Sequence, residues 1–279
     1  MTTPTTQQRE DRNAVVAATA LQLATAWANL YRAQLSLLAT LEQHRSEPAL
    51  GATQRLKAAI QRFLTSVGTF DRNARAAVER WAAQDLPIFY RDGALTSLDK
   101  ATDTIRRAAA AFAWSEKHQG AVTALSAQYY TDLFGRITET VRRAQAFARA
   151  AQDQARSLEG IDRGQLLDQF PLGTIVYRND ARHPIDSWAR GALAVQATQT
   201  RNAAALNYGA WDLGTQWFEC ADGPECGWAG HQDTDHADGT IRSAEDASEW
   251  PTSHYGCIRS WTPRPDLNGT PDLESGDPI

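Results

Sequence analysis

All three cysteines and three of the six histidines of this chain fall between residues 220 and 257: Cys220, Cys226, His231, His236, His254 and Cys257. Thiolate and imidazole are the ligands zinc prefers, and a structural zinc takes four of them in a tetrahedron. Cys226-x4-His231 and His254-x2-Cys257 would supply a Cys2His2 set from two loop segments, with Cys220 and His236 as further candidate ligands. Residue types alone leave other readings open. Cysteines also serve as small buried residues and histidines as solvent-facing turn residues, while a thiol beside an imidazole, as in His254 with Cys257, is the arrangement of a cysteine nucleophile. Asp235-His236 would suit a metal-dependent nuclease, but no Asn lies between Asn207 and Asn268 to complete that site. The His-x-Glu and Pro-Cys-x-x-Cys elements of a zinc deaminase are missing, and no Gly-x-Ser-x-Gly elbow selects Ser253-His254 as hydrolytic. Asp233-x-Asp235-x-x-Asp238-Gly239 misses the glycine register of a helix–loop–helix calcium loop by one residue. The odd cysteine count and the lack of a basic-then-apolar leader disfavour a disulfide and favour a cytosolic site of synthesis.

The elements that must position these groups are mostly helical. Residues 9–45 read as one helix with Trp27, Leu30, Tyr31, Leu38 and Leu41 near one side. Leu56, Ile60, Phe63, Val67, Phe70, Ala74 and Trp81 form a second apolar stripe, expected to stop near Asp85-Leu86-Pro87. Two further helices are expected, one over residues 95–115 and one from about Gly120 to Ser157 with Val122, Leu125, Tyr129, Leu133, Ile137 and Val141 in period. After Gly160 come a short connection or helix over 161–170, a β-branched strand at Gly173–Tyr177, and a helix from Pro184 towards Tyr208-Gly209. Beyond it the chain is rich in Gly, Asp and Trp, and Trp211, Trp217, Trp228, Trp250 and Trp261 read as the core of a small domain.

The expected fold is therefore mainly α: a helical N-terminal domain of long helices plus a small α+β, loop-rich C-terminal module containing the Cys and His residues. The divisions are a disordered tail at 1–8, a helical domain at 9–160, the module at 161–266 and a flexible tail at 267–279. Charge divides along the same line, with 20 basic against 15 acidic residues up to residue 160 and 8 against 18 after it. An acidic module is a poor match for nucleic-acid phosphates, and the basic residues of the helical half are spread along helix faces. No apolar run approaches the length of a membrane span, and no Gly-rich phosphate loop is present.

Three runs carry a resemblance. Asp222-Gly223-Pro224-Glu225-Cys226-Gly227-Trp228 with His231, then Gly239–Ala247, then Pro251-x-Ser253-His254-x-x-Cys257-x-Arg259, resemble the C-terminal module of MuF-like minor head proteins of tailed phages. Upstream, Val176-Tyr177-Arg178-Asn179 with Arg182-His183, and the helix holding Thr198, resemble the segment leading into that module; the likeness covers about residues 174–266. Ala229 stands where the family often has a second cysteine, and Tyr255 where it has a proline. The resemblance makes Asp222, Gly223, Gly239 and Arg259 structural motif residues. It implies a non-enzymatic virion component inside the phage head, assembled in the host cytoplasm. Its partners would be the portal protein, the major capsid or scaffold protein, and phage DNA, with no membrane and no small-molecule substrate. Since relatives sit beside or are fused to a maturation protease, such a protease or a metal-dependent nuclease is the alternative.

Overall fold

The computed structural model describes residues 6–46, 52–100, 112–156, 162–177, 179–228, 236–270 and 272–278. The chain is mainly helical, with long helices first and small strands and loops around a Cys/His group near its end. The helices are α1 (Thr6–Ser46), α2 (Ala52–Arg80), α3 (Leu86–Lys100), α4 (Glu116–Arg156), α5 (Arg163–Gln169), α6 (Ile185–Trp211) and α7 (Ala244–Glu249). Much of the helix expected over 95–115 lies outside the described residues, as do residues 1–5 of the expected N-terminal tail.

Pro87 does not stop the second helix. A π-helical turn over Trp81–Asp85 joins α2 to α3, and Pro87 is the second residue of α3. Proline interrupts an α-helix because it lacks an N–H and its ring strikes the carbonyl four residues back. A wider turn with bonds from i to i+5 just before it moves that carbonyl aside, so the helix continues.

The chain folds as two compact units that alternate in sequence: residues 1–16, 81–129 and 191–279 form one, and 17–80 and 130–190 the other. The boundary expected near residue 160 falls inside the 130–190 run, because the chain passes between units within α1, at the junction of α2 with the π turn, and within α4 and α6.

The unit of 17–80 and 130–190 is held by apolar stripes. Trp27, Leu30, Leu38 and Leu41 of α1, Phe63, Val67, Phe70 and Ala74 of α2, and Leu133 and Ile137 of α4 are all buried. Trp27 meets Phe70 edge-on at 4.6 Å between centroids, and Phe63 meets Phe147 at 5.2 Å. Each fully buried side chain of this kind is worth about 1.5–3 kcal/mol relative to exposure. By length and hydropathy Asp11–Gln43 would also pass as a membrane span, a test that core helices of soluble proteins pass as well. Asp162 caps α5 by accepting from the Gln165 amide. Strands β1 (Thr174–Val176) and β2 (Arg182–Pro184) pair antiparallel with Thr174 opposite Pro184.

In the other unit Tyr90 and Ala94 of α3, Val122 of α4, and Ala204 and Tyr208 of α6 form one buried cluster. Gly93 permits close approach, since a Cβ there would lie 2.1 Å from the Arg201 carbonyl oxygen. Strands β3 (Trp217–Ala221), β4 (Ile241–Ser243) and β5 (Ser260–Pro263) make an antiparallel sheet in the order β4-β3-β5. The segment expected as a flexible tail closes one edge: the Ile241 amide donates to Asp277 O at 2.8 Å and the Gly276 amide to Ile241 O at 2.8 Å. An edge strand covered in this way offers few free donors for pairing with other chains.

Candidate metal centre

The sheet delivers two turns to one place. The first follows β3: the Cys226 amide donates to Gly223 O at 2.9 Å, and the Ala237 amide donates to Cys226 O at 3.1 Å. The second precedes β5, where the Cys257 amide donates to His254 O at 3.2 Å and Gly256 sits at φ +82°. A left-handed third residue in an i to i+3 turn is the requirement of a type II turn, which glycine meets without strain. Together these turns bring one ligand atom each of Cys226, His254 and Cys257 within 4.8 Å of one another.

Around them the polar groups are paired. Arg259, 1 % exposed, donates through Nε to Asp222 Oδ2 at 2.7 Å, through one terminal nitrogen to Trp250 O at 2.9 Å and through the other to Gly227 O at 3.0 Å. Its guanidinium also lies 5.1 Å from the Trp228 ring centre and 5.8 Å from that of Trp261. A buried charge is tolerable only when paired and fully hydrogen-bonded, and Arg259 satisfies that by tying both cysteine-bearing turns together. Asp222 in turn accepts from the Gly223 amide at 2.9 Å. Gly239, at φ +73°, donates its amide to Cys220 O, so the four motif residues hold the turns and the sheet.

Cys257 Sγ accepts from the amides of Ser253 at 3.4 Å and Arg259 at 3.5 Å, and its thiol faces Asp222 Oδ1 at 3.6 Å. His254 Nδ1 lies 2.9 Å from Tyr255 O. With the proton on Nδ1 donated to that carbonyl, Nε2 keeps its lone pair, the tautomer a metal-binding imidazole needs. Burial pushes the Cys226 thiol up to about 11, so a metal ion taking that sulfur must displace a proton.

The other expected ligands are placed differently. His231 lies outside the described residues, as do Asp233 and Asp235. Cys220 points into the apolar cluster of Leu206, Phe218, Ala237, Ala247 and Trp261, where burial raises its thiol to about 12. His236 is exposed, and among the described residues its backbone bridges to Gly227. The Ser253 hydroxyl, named above as a hydrolytic candidate, donates to Gly227 O at 3.0 Å and links the two turns. Two surface hollows of about 470 and 210 Å³ lie in the 17–80 and 130–190 unit, the larger lined by Asp162, Asp168 and Arg182. Comparison with protein-family models, curated proteins and solved structures finds no match to the chain.

Two features escaped the sequence reading. Asn202 of α6 donates from Nδ2 to both Pro251 O and Arg259 O, at 2.8 Å each. His118, wholly buried, lies between Tyr90 Oη at 2.9 Å from Nδ1 and Asp212 Oδ2 at 2.8 Å from Nε2. Since the carboxylate can only accept, Nε2 carries the proton and Nδ1 accepts from the Tyr90 hydroxyl, which accepts in turn from Asn207 at 3.1 Å. Burial holds the Tyr90 phenol up at about 12.

Proposed function

We propose that this chain is a non-enzymatic minor head protein of a tailed phage or prophage, whose loop-rich module is clamped by a structural zinc. Cys226, His254 and Cys257 supply three ligands, and the spacing Cys226-x4-His231 assigns the fourth to His231. The observation that carries the reading is the convergence of two thiols and an imidazole within 4.8 Å from separate turns. Both turns belong to the sequence runs that resemble the MuF-like module, and Asp222 and Arg259 of those runs form the buried pair beneath them. When bound, zinc would supply cross-linking of the two turns, a gain for a segment whose own apolar core is small. The groups around the ligands are engaged in holding backbone carbonyls, which supports a role in attachment over turnover.

In this reading the module docks inside the head on the portal, the major capsid or the scaffold protein, assists head assembly and DNA packaging or delivery, and makes at most secondary contact with phage DNA. The experiment has two arms. Elemental analysis of protein purified without chelator is expected to find one zinc per chain, lost in Cys257→Ser and in His231→Ala. Co-expression with the portal and major capsid proteins of the phage or prophage that encodes it is expected to give a complex that sediments as one species. Metal-free wild type would end the zinc assignment, and a chain that sediments alone beside every such partner would end the head-protein assignment.

A further inference from the structure

The loop from Pro251 to Arg259 carries two of the three ligands, and it is gripped at both ends by one side chain. Asn202 Nδ2 has two protons; one goes to Pro251 O and the other to Arg259 O, at 2.8 Å each, and the residue is 4 % exposed. One helical turn earlier, Gln199 Nε2 donates to Thr252 Oγ1 at 3.2 Å while its Oε1 accepts from the Tyr129 hydroxyl at 2.9 Å. Trp261 Nε1 adds a second donor to Pro251 O at 3.3 Å. Asn suits this position for a chemical reason: it places two donors on one atom two bonds beyond Cβ. Asp at the same length offers only acceptors, and Ser offers one donor.

We infer that Asn202 is a positioning residue for the metal, fixing the separation of the Pro251 and Arg259 carbonyls so that His254 and Cys257 are presented together before the ion arrives. The inference rests on the zinc reading of the site and goes beyond it by assigning the grip to α6, a helix with no ligand of its own. A loop ordered in advance loses less conformational entropy on binding, so the same ligands bind more tightly. Outer partners of metal ligands commonly change affinity by about 10- to 100-fold when removed. By linkage, the ion must in return strengthen the hold of Asn202 on the loop.

The test compares wild type, Asn202→Ala and Asn202→Ser in zinc competition against the chromogenic chelator 4-(2-pyridylazo)resorcinol, and in thermal unfolding with and without zinc. Asn202→Ala is expected to weaken zinc binding by about tenfold or more, with Asn202→Ser between it and wild type, and the rise in Tm on adding zinc should shrink in the same order. A residue that only supports the fold would lower Tm equally with and without metal, and an unchanged zinc-induced rise would overturn the inference while leaving the zinc site standing. Should Asn202→Ala lack the far-UV helical signal of wild type, Asn202→Ser decides by the same criterion. Wild type that holds no zinc overturns both this inference and the reading on which it rests.

Discussion

The helical unit of residues 17–80 and 130–190 and the loop-rich stretch from Trp217 to Pro263 are stabilised in opposite ways. In the first, Trp27, Phe63, Phe70, Leu38 and Ile137 bury apolar area with many neighbours each, and no single contact decides the outcome. In the second, one guanidinium reaches an aspartate and two carbonyls, and one carboxamide reaches two more. Apolar stripes tolerate change because area is lost by degrees. A directional hub fails all at once, because cutting it strands every buried group it had paired.

The comparison is broken most readily at Arg259. Arg259→Met should destabilise the Trp217–Pro263 stretch by about 3–5 kcal/mol, since Asp222 would be left as a buried charge without its partner. Adding Asp222→Leu should restore part of the loss. Chemical denaturation followed by tryptophan fluorescence measures both, and a double variant no better than Arg259→Met alone would show that the pair is not the reason.

Next in size is a cut in a helical stripe. Leu38→Ala removes a side chain with no exposure from α1 and should cost about 2–5 kcal/mol, according to how far the neighbours collapse into the space. Yet it should leave zinc content unchanged, whereas Arg259→Met should lower it. Equal zinc loss in the two variants would erase the distinction between the regions.

The stripes were legible in the sequence because burial on a helix repeats every three to four residues, and α1, α2 and α4 lie where Trp27–Leu41, Leu56–Ala74 and Val122–Val141 place them. Pro87 misled because its two penalties read as a stop, and nothing local announces a π turn that relieves them. Cys226, His254 and Cys257 could be found by residue type, their density being unusual over so short a stretch. Asn202 could not. It stands 49 residues before Pro251 and looks like any polar residue on a helix, and its role exists only once α6 and the loop meet. The same holds for His118, whose partners Tyr90 and Asp212 are 28 and 94 residues away. Nor does any linker mark the two units, since continuous helices pass from one to the other.

The buried histidine makes a smaller test of directional bonding inside a helical core. Tyr90→Phe keeps the ring in its apolar cluster and removes only the hydroxyl, leaving His118 Nδ1 and an Asn207 proton without their partner. The expected cost is about 1–3 kcal/mol, the penalty of unsatisfied buried polar groups. A loss near zero would mean that these groups find replacements, and that the relay adds little to the aromatic packing around it.

The contrast between one cysteine and its fellows is sharpest at Cys220. Burial among Phe218, Leu206 and Trp261 raises its thiol from 9.0 to about 12, so the folded protein binds that proton more tightly than the unfolded chain does. A raised value contributes stability in full below about pH 9, and the contribution is lost as pH rises through 12. Lysines and tyrosines titrate in the same window, so the quantity to measure is the gap between wild type and Cys220→Ala in urea midpoint from pH 8 to 11. That gap should narrow steadily with rising pH, because only the wild type has this thiol to ionise. A constant gap would place Cys220 in water-accessible surroundings and remove it from the apolar core that separates it from Cys226 and Cys257.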